Sequence, residues 1–194
     1  MPTTLYLSSK QAKTIASLYE ALDPKALKAG PDFMNGLSVI PTIASDVAQF
    51  VATDRYTAVV FNAKLAEDAG DFKPFTLTAD QCKLIKRAKY DFTISSGNDG
   101  VRVDTDAGSL FADHLDATKG NATSTHLGIK VAELVESKAQ DRGGLEVAPL
   151  IDLTRVARLA KVTDKWTMRC PGDISPVVFS AEDLTAMVQP NRKP

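Results

Sequence analysis

A short strand with apolar residues at alternate positions, followed at once by an amphipathic helix and then by hairpins, recurs three times in this chain. The opening strands are Leu5-Tyr6-Leu7, Phe75-Thr76-Leu77 and Leu145-Glu146-Val147, and apolar residues two apart suit one buried strand face. Three such units confine the chain to antiparallel sheets with helices packed on one face, the α+β class. On this reading the units lie side by side with their sheets joined edge to edge. The opposite sheet face is expected to be solvated and acidic.

The helices follow from periodicity and caps. In the first, Ala12, Ile15, Leu18 and Leu22 recur at three- and four-residue steps while Lys10 and Lys13 fall elsewhere, and Asp23-Pro24 ends the run. In the second, Thr78 and Gln81 form a capping-box pattern, with Leu84, Ile85 and Ala88 on one side and Lys83, Lys86 and Arg87 on the other. In the third, Pro149 suits the first turn, Leu153, Val156, Leu159 and Ala160 make the apolar stripe, and Arg155, Arg158 and Lys161 step along another face.

Solvation alone accounts for a few lysines on any one helix. Across the three segments 8–22, 78–90 and 150–162, however, nine Lys/Arg stand against three acids, a balance of +6, while the remainder holds 14 basic and 21 acidic residues, a balance of −7. A chain of net charge −1 thus segregates its charge, which creates a strong local field without a high pI. Three cationic helices on a strand scaffold suit a surface facing a polyanion.

The strands between the helices read as Leu37–Ile40, Val47–Thr53 and Tyr56–Phe61, then Phe92–Ile94, Val101–Val103 and Ser109–Leu115, then Trp166–Cys170, Pro176–Phe179 and Leu184–Gln189. Ser96-Gly97-Asn98-Asp99-Gly100 and Pro171-Gly172 mark hairpins. Thr118–Thr125 is polar and loop-like. Residues 126–140 carry two patterns, since Leu127, Ile129 and Val131 alternate like a strand and Ala132–Ala139 looks helical. The organisation expected is a domain at 1–117 made of two units, a connecting segment at 118–143, and a half-domain at 144–194.

With 194 residues and 44% apolar content the chain can bury a substantial core. No apolar run reaches membrane-spanning length, and Met1-Pro2-Thr3-Thr4 leads straight into a strand, so a cytoplasmic location is expected. Cys82 and Cys170 offer neither a disulfide framework nor a C-x-x-C pair.

Val51-Ala52-Thr53-Asp54-Arg55-Tyr56 resembles a strand turn of the bacterial β sliding clamp, the replicative processivity factor, whose pattern there is A-T-D-G-H-R-L. Residues 52–54 match, while Arg55, Tyr56, Thr57 and Ala58 replace the family's glycine, histidine, arginine and leucine. Ile174–Phe179 and Met187–Arg192 are similar to the family's proline-led apolar strand and to its terminal V-M-P-M-R or V-M-P-V-R. The resemblance covers 1–117 as a complete clamp domain and 144–194 as half of another, in the manner of a phage-type or minimal clamp.

What the resemblance implies is a ring lined by basic helices that holds duplex DNA without reading sequence. By that mapping Lys10, Lys13, Lys83, Lys86, Arg87, Arg155, Arg158 and Lys161 face double-stranded DNA. The resemblance further implies a groove for short linear peptides of a DNA polymerase and of a clamp loader. One wall would be Thr53, Arg55, Tyr56 and Ala58, and the other Ile174, Pro176, Val188, Pro190 and Arg192; the plainer alternative is that the apolar members are strand core. The family closes its ring from about a dozen half-domain units by symmetric repetition. A degenerate fourth unit at 118–143 would make this chain a trimer ring; three units would need a tetramer, or leave the ring unclosed or the chain a monomer with an unpaired sheet edge.

Catalysis finds little support. His114 and His126 lack ligand spacing, and Asp99, Asp104 and Asp106 sit in turns where aspartate serves backbone geometry. No G-x-S-x-G, P-loop or H-E-x-x-H pattern occurs. No metal or cofactor is expected. The alternative to a DNA-holding ring is a clamp-like interaction protein that binds replication partners, or a host clamp, without encircling DNA.

Overall fold

Each of the three helices read from the sequence starts at a polar cap. The Thr78 hydroxyl accepts the Gln81 N–H at 3.3 Å and Gln81 Oε1 accepts the Thr78 N–H at 2.9 Å, the capping box read from the sequence. The Gln81 amide, fully buried, also donates to the Val101 carbonyl at 2.7 Å, which ties the cap to the sheet beneath. Ser8 holds the same place in the first unit, its N–H on Gln11 Oε1 at 3.2 Å. In the third, Asp152 Oδ1 accepts the Thr154 N–H at 2.9 Å.

The structure, a computed structural model, describes residues 3–29, 34–115, 126–140, 151–170 and 176–190. Unit 1 comprises β1 (Thr3–Leu7), α1 (Ser9–Glu20), α2 (Pro24–Ala29), β2 (Gly36–Pro41), β3 (Val47–Thr53) and β4 (Thr57–Lys64). Unit 2 comprises β5 (Phe75–Thr78), α3 (Ala79–Ile85), β6 (Phe92–Ser96), β7 (Val101–Thr105) and β8 (Gly108–Ala112). Then come α4 (Leu127–Gln140) and unit 3, with α5 (Leu153–Leu159), β9 (Thr167–Arg169), β10 (Val177–Ala181) and β11 (Leu184–Val188). The strand expected at 145–147, Pro149, the loop at 118–125 and the Pro171-Gly172 turn lie outside the described residues.

Units 1 and 2 exchange their first strands. β1 pairs antiparallel with β6, placing Leu5 against Ile94, and β5 pairs with β2, placing Leu77 against Leu37. One sheet therefore runs β1-β6-β7-β8 and the other β5-β2-β3-β4-β11-β10-β9. The second contains the edge-to-edge joint anticipated above: β11 of unit 3 pairs with β4 of unit 1, with Ala186 opposite Val59. Helices α1, α3 and α5 cover one side of the sheets, where Ile15, Ile85 and Leu159 join Phe50, Leu77 and Val188 in a single core. Leu153, expected in the apolar stripe, instead stands 78% exposed at the start of α5.

The other face of the large sheet is not the open acidic surface expected. Ile40, Val51, Ala58, Val60 and Met187 form a second apolar cluster there, covered by Ala132 and Val135 of α4. Strands buried on both faces read as nearly continuous apolar runs, and β3 (VAQFVAT) and β4 (TAVVFNAK) do so. Residues 127–140 are helical throughout: Ile129, Ala132 and Val135 share a face at helical spacing, and burying them outweighs the strand-like alternation of Leu127, Ile129 and Val131. At ~1.5 Å per residue, α4 is just long enough to cross strands ~4.8 Å apart from β2 to β10, all of which it contacts.

The start of α4 is fixed by close approach. A Cβ on Gly128 would lie 2.5 Å from Ser38 Cβ, so only glycine lets the helix sit so near β2. The Gly128 N–H donates to His126 Nδ1 at 3.1 Å, which leaves the ring proton on Nε2 to donate to Thr76 Oγ1 at 3.2 Å. Burial lowers the His126 pKa to about 4. Because the neutral form is favoured in the folded state, its contribution is complete above pH ~6.5 and is lost as pH falls toward about 4. We expect stability to drop by on the order of 2 kcal/mol across that window, after allowing for residual solvent screening. Urea midpoints of the wild type and His126→Gln at pH 7 and 4.5 check this; an equal fall in both would remove His126 as the cause.

Candidate nucleic-acid and partner interfaces

Helices α1, α3 and α5, which pack on the same side of the sheets, carry the cations read from the sequence on themselves or just beyond their ends. Lys10, Lys13, Lys83, Lys86, Arg87 and Lys161 are exposed, whereas Arg155 and Arg158 are half-buried. The end of α1 gathers two of them: Lys86 Nζ reaches Glu20 Oε1 at 2.6 Å, and Lys161 Nζ donates to the Glu20 carbonyl at 3.3 Å, where the negative end of the helix dipole favours cations. Lys83 pairs with Asp80 at 2.8 Å. That carboxylate raises the pKa of Lys83, and Lys83 lowers that of Asp80.

The two arginines of α5 turn toward unit 1. Arg158 Nη1 lies 3.3 Å from Asp23 Oδ2, and Arg155 lies 3.5 Å from Asp152 with its guanidinium 4.1 Å over the Tyr56 ring. The Lys25 N–H, and after it Arg158, hold the Asp23 carboxyl below its ordinary range. Sequence periodicity places these arginines on a polar face but carries no sign of partners in another unit. Exposed pairs such as Lys83–Asp80 contribute little to stability and can exchange partners, so their cations are available to an incoming anion.

The turn between β3 and β4 is built around Asp54, which is 1% exposed. Its carboxylate accepts the N–H groups of Tyr56 at 3.0 Å, Thr57 at 2.7 Å and Asp23 at 2.6 Å. Thr53 adds a hydroxyl bond to the Thr57 carbonyl at 3.0 Å, and Arg55 takes a left-handed φ of 77°, a position that suits glycine better. Tyr56 is left 45% exposed at the tip.

The proposed groove residues divide. The Gln189 N–H donates to the Tyr56 carbonyl at 2.7 Å, extending the β4–β11 pairing by one residue, and Pro190, next along the chain, is half-buried. Ala58 lies on the far face among the residues beneath α4, and Val188 is wholly buried in the inner core. Pro176 is buried. Ile174 and Arg192 lie outside the described residues. An adaptation the sequence did not disclose is the Arg155–Tyr56 stack, which joins α5 to the turn.

The remaining polar candidates hold local structure. Asp106 Oδ1 accepts the Lys89 N–H at 2.9 Å, and His114 Nε2 lies 2.7 Å from the Gly97 carbonyl. Cys82 and Cys170 are buried free thiols, and desolvation raises the Cys82 pKa to about 12, which leaves it unreactive. Among the described residues no helix is long and apolar enough to cross a membrane.

No protein-family model and no curated protein sequence matches the chain. Solved structures do. The DNA polymerase III beta subunit of Thermotoga maritima superposes with a TM-score of 0.69 at 13% identity, covering 99% of this chain and 66% of that one. The Helicobacter pylori beta clamp bound to a DNA ligase peptide gives 0.70 at 8% identity, covering 98% and 65%. The Bartonella birtlesii sliding clamp bound to griselimycin gives 0.66 at 11% identity, covering 98% and 66%. The fold is that of the bacterial sliding clamp, and the chain spans about two thirds of the length of the clamp chains it matches.

Proposed function

We propose that this protein is a clamp-type replication scaffold, whose inner helices hold duplex DNA without sequence preference and whose Tyr56 turn receives a short peptide of a DNA polymerase. The observation that carries the first half is the gathering of six exposed cations from α1, α3 and α5 on one side of the sheets, in a chain whose net charge is −1. Cations contacting phosphates alone give affinity that depends steeply on salt and permits sliding. The testing experiment compares retention on nicked circular duplex with retention on linear duplex of the same length. Retention on circles that is lost on cutting them supports encirclement, by an assembly of copies or with a loader's help. Equal loss from both at ~150 mM salt favours the alternative, a clamp-like protein that meets partners without surrounding DNA.

The second half rests on the Tyr56 ring, exposed at a turn braced by the Asp54 carboxylate and stacked against the Arg155 guanidinium. An aromatic anchor on a pre-ordered turn loses little entropy on binding. Tyr56→Ala is expected to weaken binding of the cognate polymerase peptide at least ~10-fold while leaving DNA affinity unchanged. Fluorescence anisotropy with peptide and with duplex measures both; equal peptide affinity in the variant would remove Tyr56 from the site.

A further inference from the structure

The segment that follows α3, Lys86-Arg87-Ala88-Lys89-Tyr90-Asp91, is pinned on both sides. The Lys89 N–H donates to Asp106 Oδ1 in the β7–β8 turn at 2.9 Å, and Asp91 Oδ1 accepts the Ser9 N–H of α1 at 3.0 Å. Both carboxylates thereby serve backbone donors. Between the two bonds Tyr90 stands 71% exposed, an aromatic ring on a backbone fixed at each neighbour. The undescribed stretches join the chain elsewhere. Leu115 lies beside Gly36 at the Thr78 cap, the opposite end of α3, and Thr3 pairs with Ser96, the opposite end of β6.

Cations flank the ring. Arg87 and Lys89 are exposed and form no ion pair among the described residues. Ser9, Lys13 and Glu20 share a stripe of α1 by their spacing, and since Ser9 meets Asp91 and Glu20 meets Lys86, exposed Lys13 lies along the same segment. Beside the hairpin that holds Lys89 opens a cavity of about 300 Å³, lined by Asp80, Lys83, Leu84, Arg87, Ser109 and Leu110. Asp80 already pairs with Lys83, so Arg87 gives the cavity its net positive charge. Half-buried Leu84 and Leu110 give it an apolar lining.

We propose that Tyr90, with Arg87, Lys89 and this cavity, seats an unpaired stretch of DNA. A base within a duplex is stacked on both sides and paired at its edge, so neither a lone ring nor a cavity can take it. An unpaired base offers its flat face to an aromatic ring, whatever its identity, while its phosphates reach the cations alongside. The mixed apolar and cationic lining of the cavity suits a base with its phosphate. The inference rests on the reading of α3 as part of the DNA face, which brings a strand to this place, and it goes further. Duplex phosphates make no use of the ring, so the effect of Tyr90 is confined to unpaired DNA.

Fluorescence anisotropy with the intact chain at ~100 mM salt tests it on a blunt duplex, on the same duplex carrying a thymine overhang of about 10 nucleotides, and on the overhang strand alone. The overhang is expected to tighten binding ~10-fold. Tyr90→Ala should remove that gain and leave the blunt duplex unchanged, and Tyr90→Phe, which keeps the ring, should retain it. The residue is already exposed, so both variants keep the fold, which far-UV circular dichroism verifies. A gain kept in Tyr90→Ala, or no gain from the overhang while the blunt duplex binds, overturns this inference alone. Binding of the single strand without the blunt duplex, lost in Tyr90→Ala, upholds it and removes the duplex reading instead. Binding of none of these DNAs overturns both.

Discussion

Replacing Lys83, Lys86 and Arg87 together by glutamate is expected to lower affinity for duplex DNA about 10²- to 10³-fold, the largest effect foreseen for any surface change. All three are exposed at or just beyond the end of α3, opposite the buried Cys82 and Ile85, so the fold should survive. Each lost phosphate contact also removes a released counterion, so the slope of log affinity against log salt should become shallower by about 3. The present partners sharpen the expectation. Asp80 and Glu20 would face new glutamates across 2.8 and 2.6 Å contacts that are now attractive, adding repulsion to the loss. Affinity titrations at several salt concentrations, with the urea midpoint as a folding control, decide the matter. Unchanged affinity or an unchanged salt slope would take α3 out of the DNA face.

The second large effect concerns the far side of the sheet. Val135 is fully buried at the centre of the contact between α4 and the sheet, and Val135→Asp would place an unpartnered carboxylate among Val51, Val60 and Met187. The cost, about 3–5 kcal/mol, is comparable with everything that holds α4. Two buried side chains of this helix contribute roughly 1.5–3 kcal/mol each at most, to which the Gln49–Glu136 bond at 2.7 Å and the Arg169 bond to the Ala139 carbonyl at 2.8 Å add. The helix should therefore come away while the inner core stays intact. Hydrogen exchange reads this directly: amides of 127–140 should lose protection while those of β3 and β6 keep it. Protected α4 amides in the variant would show that the helix is held by something other than this apolar contact.

The strands and caps were legible because local signals specify them. Val47–Thr53 has the bounds read from its residues, and Thr78 and Gln81 bond as their spacing implies. The exchange of first strands was not legible, because Leu5 and Leu77 carry the same alternation whichever neighbour they meet. The covered outer face had a signal, in the unbroken apolar runs of β3 and β4, which reads equally as general strand enrichment until a helix is found above it. For the candidate site, the cationic helices follow from periodicity. The turning of Arg155 and Arg158 toward Tyr56 and Asp23 depends on where β11 docks, which no local pattern encodes. Asp54, one of the three residues that carried the family resemblance, proves to be a backbone staple.

The exchange of opening strands also sets the order in which the molecule can come into being on the ribosome. The Thr4 and Ser95 hydroxyls meet across 91 residues, so β1 has no strand to lie beside until β6 has been synthesised, roughly 5–20 seconds later at ordinary elongation rates. Until then the emerging chain exposes the apolar sides of Leu5 and Leu7, and loop-closure entropy makes such distant pairing slow. A chain truncated after β4 should stay unfolded and bind holdase chaperones, and release should be complete only after α4 and β11, which cover the outer face and the edge of β4, have followed β8.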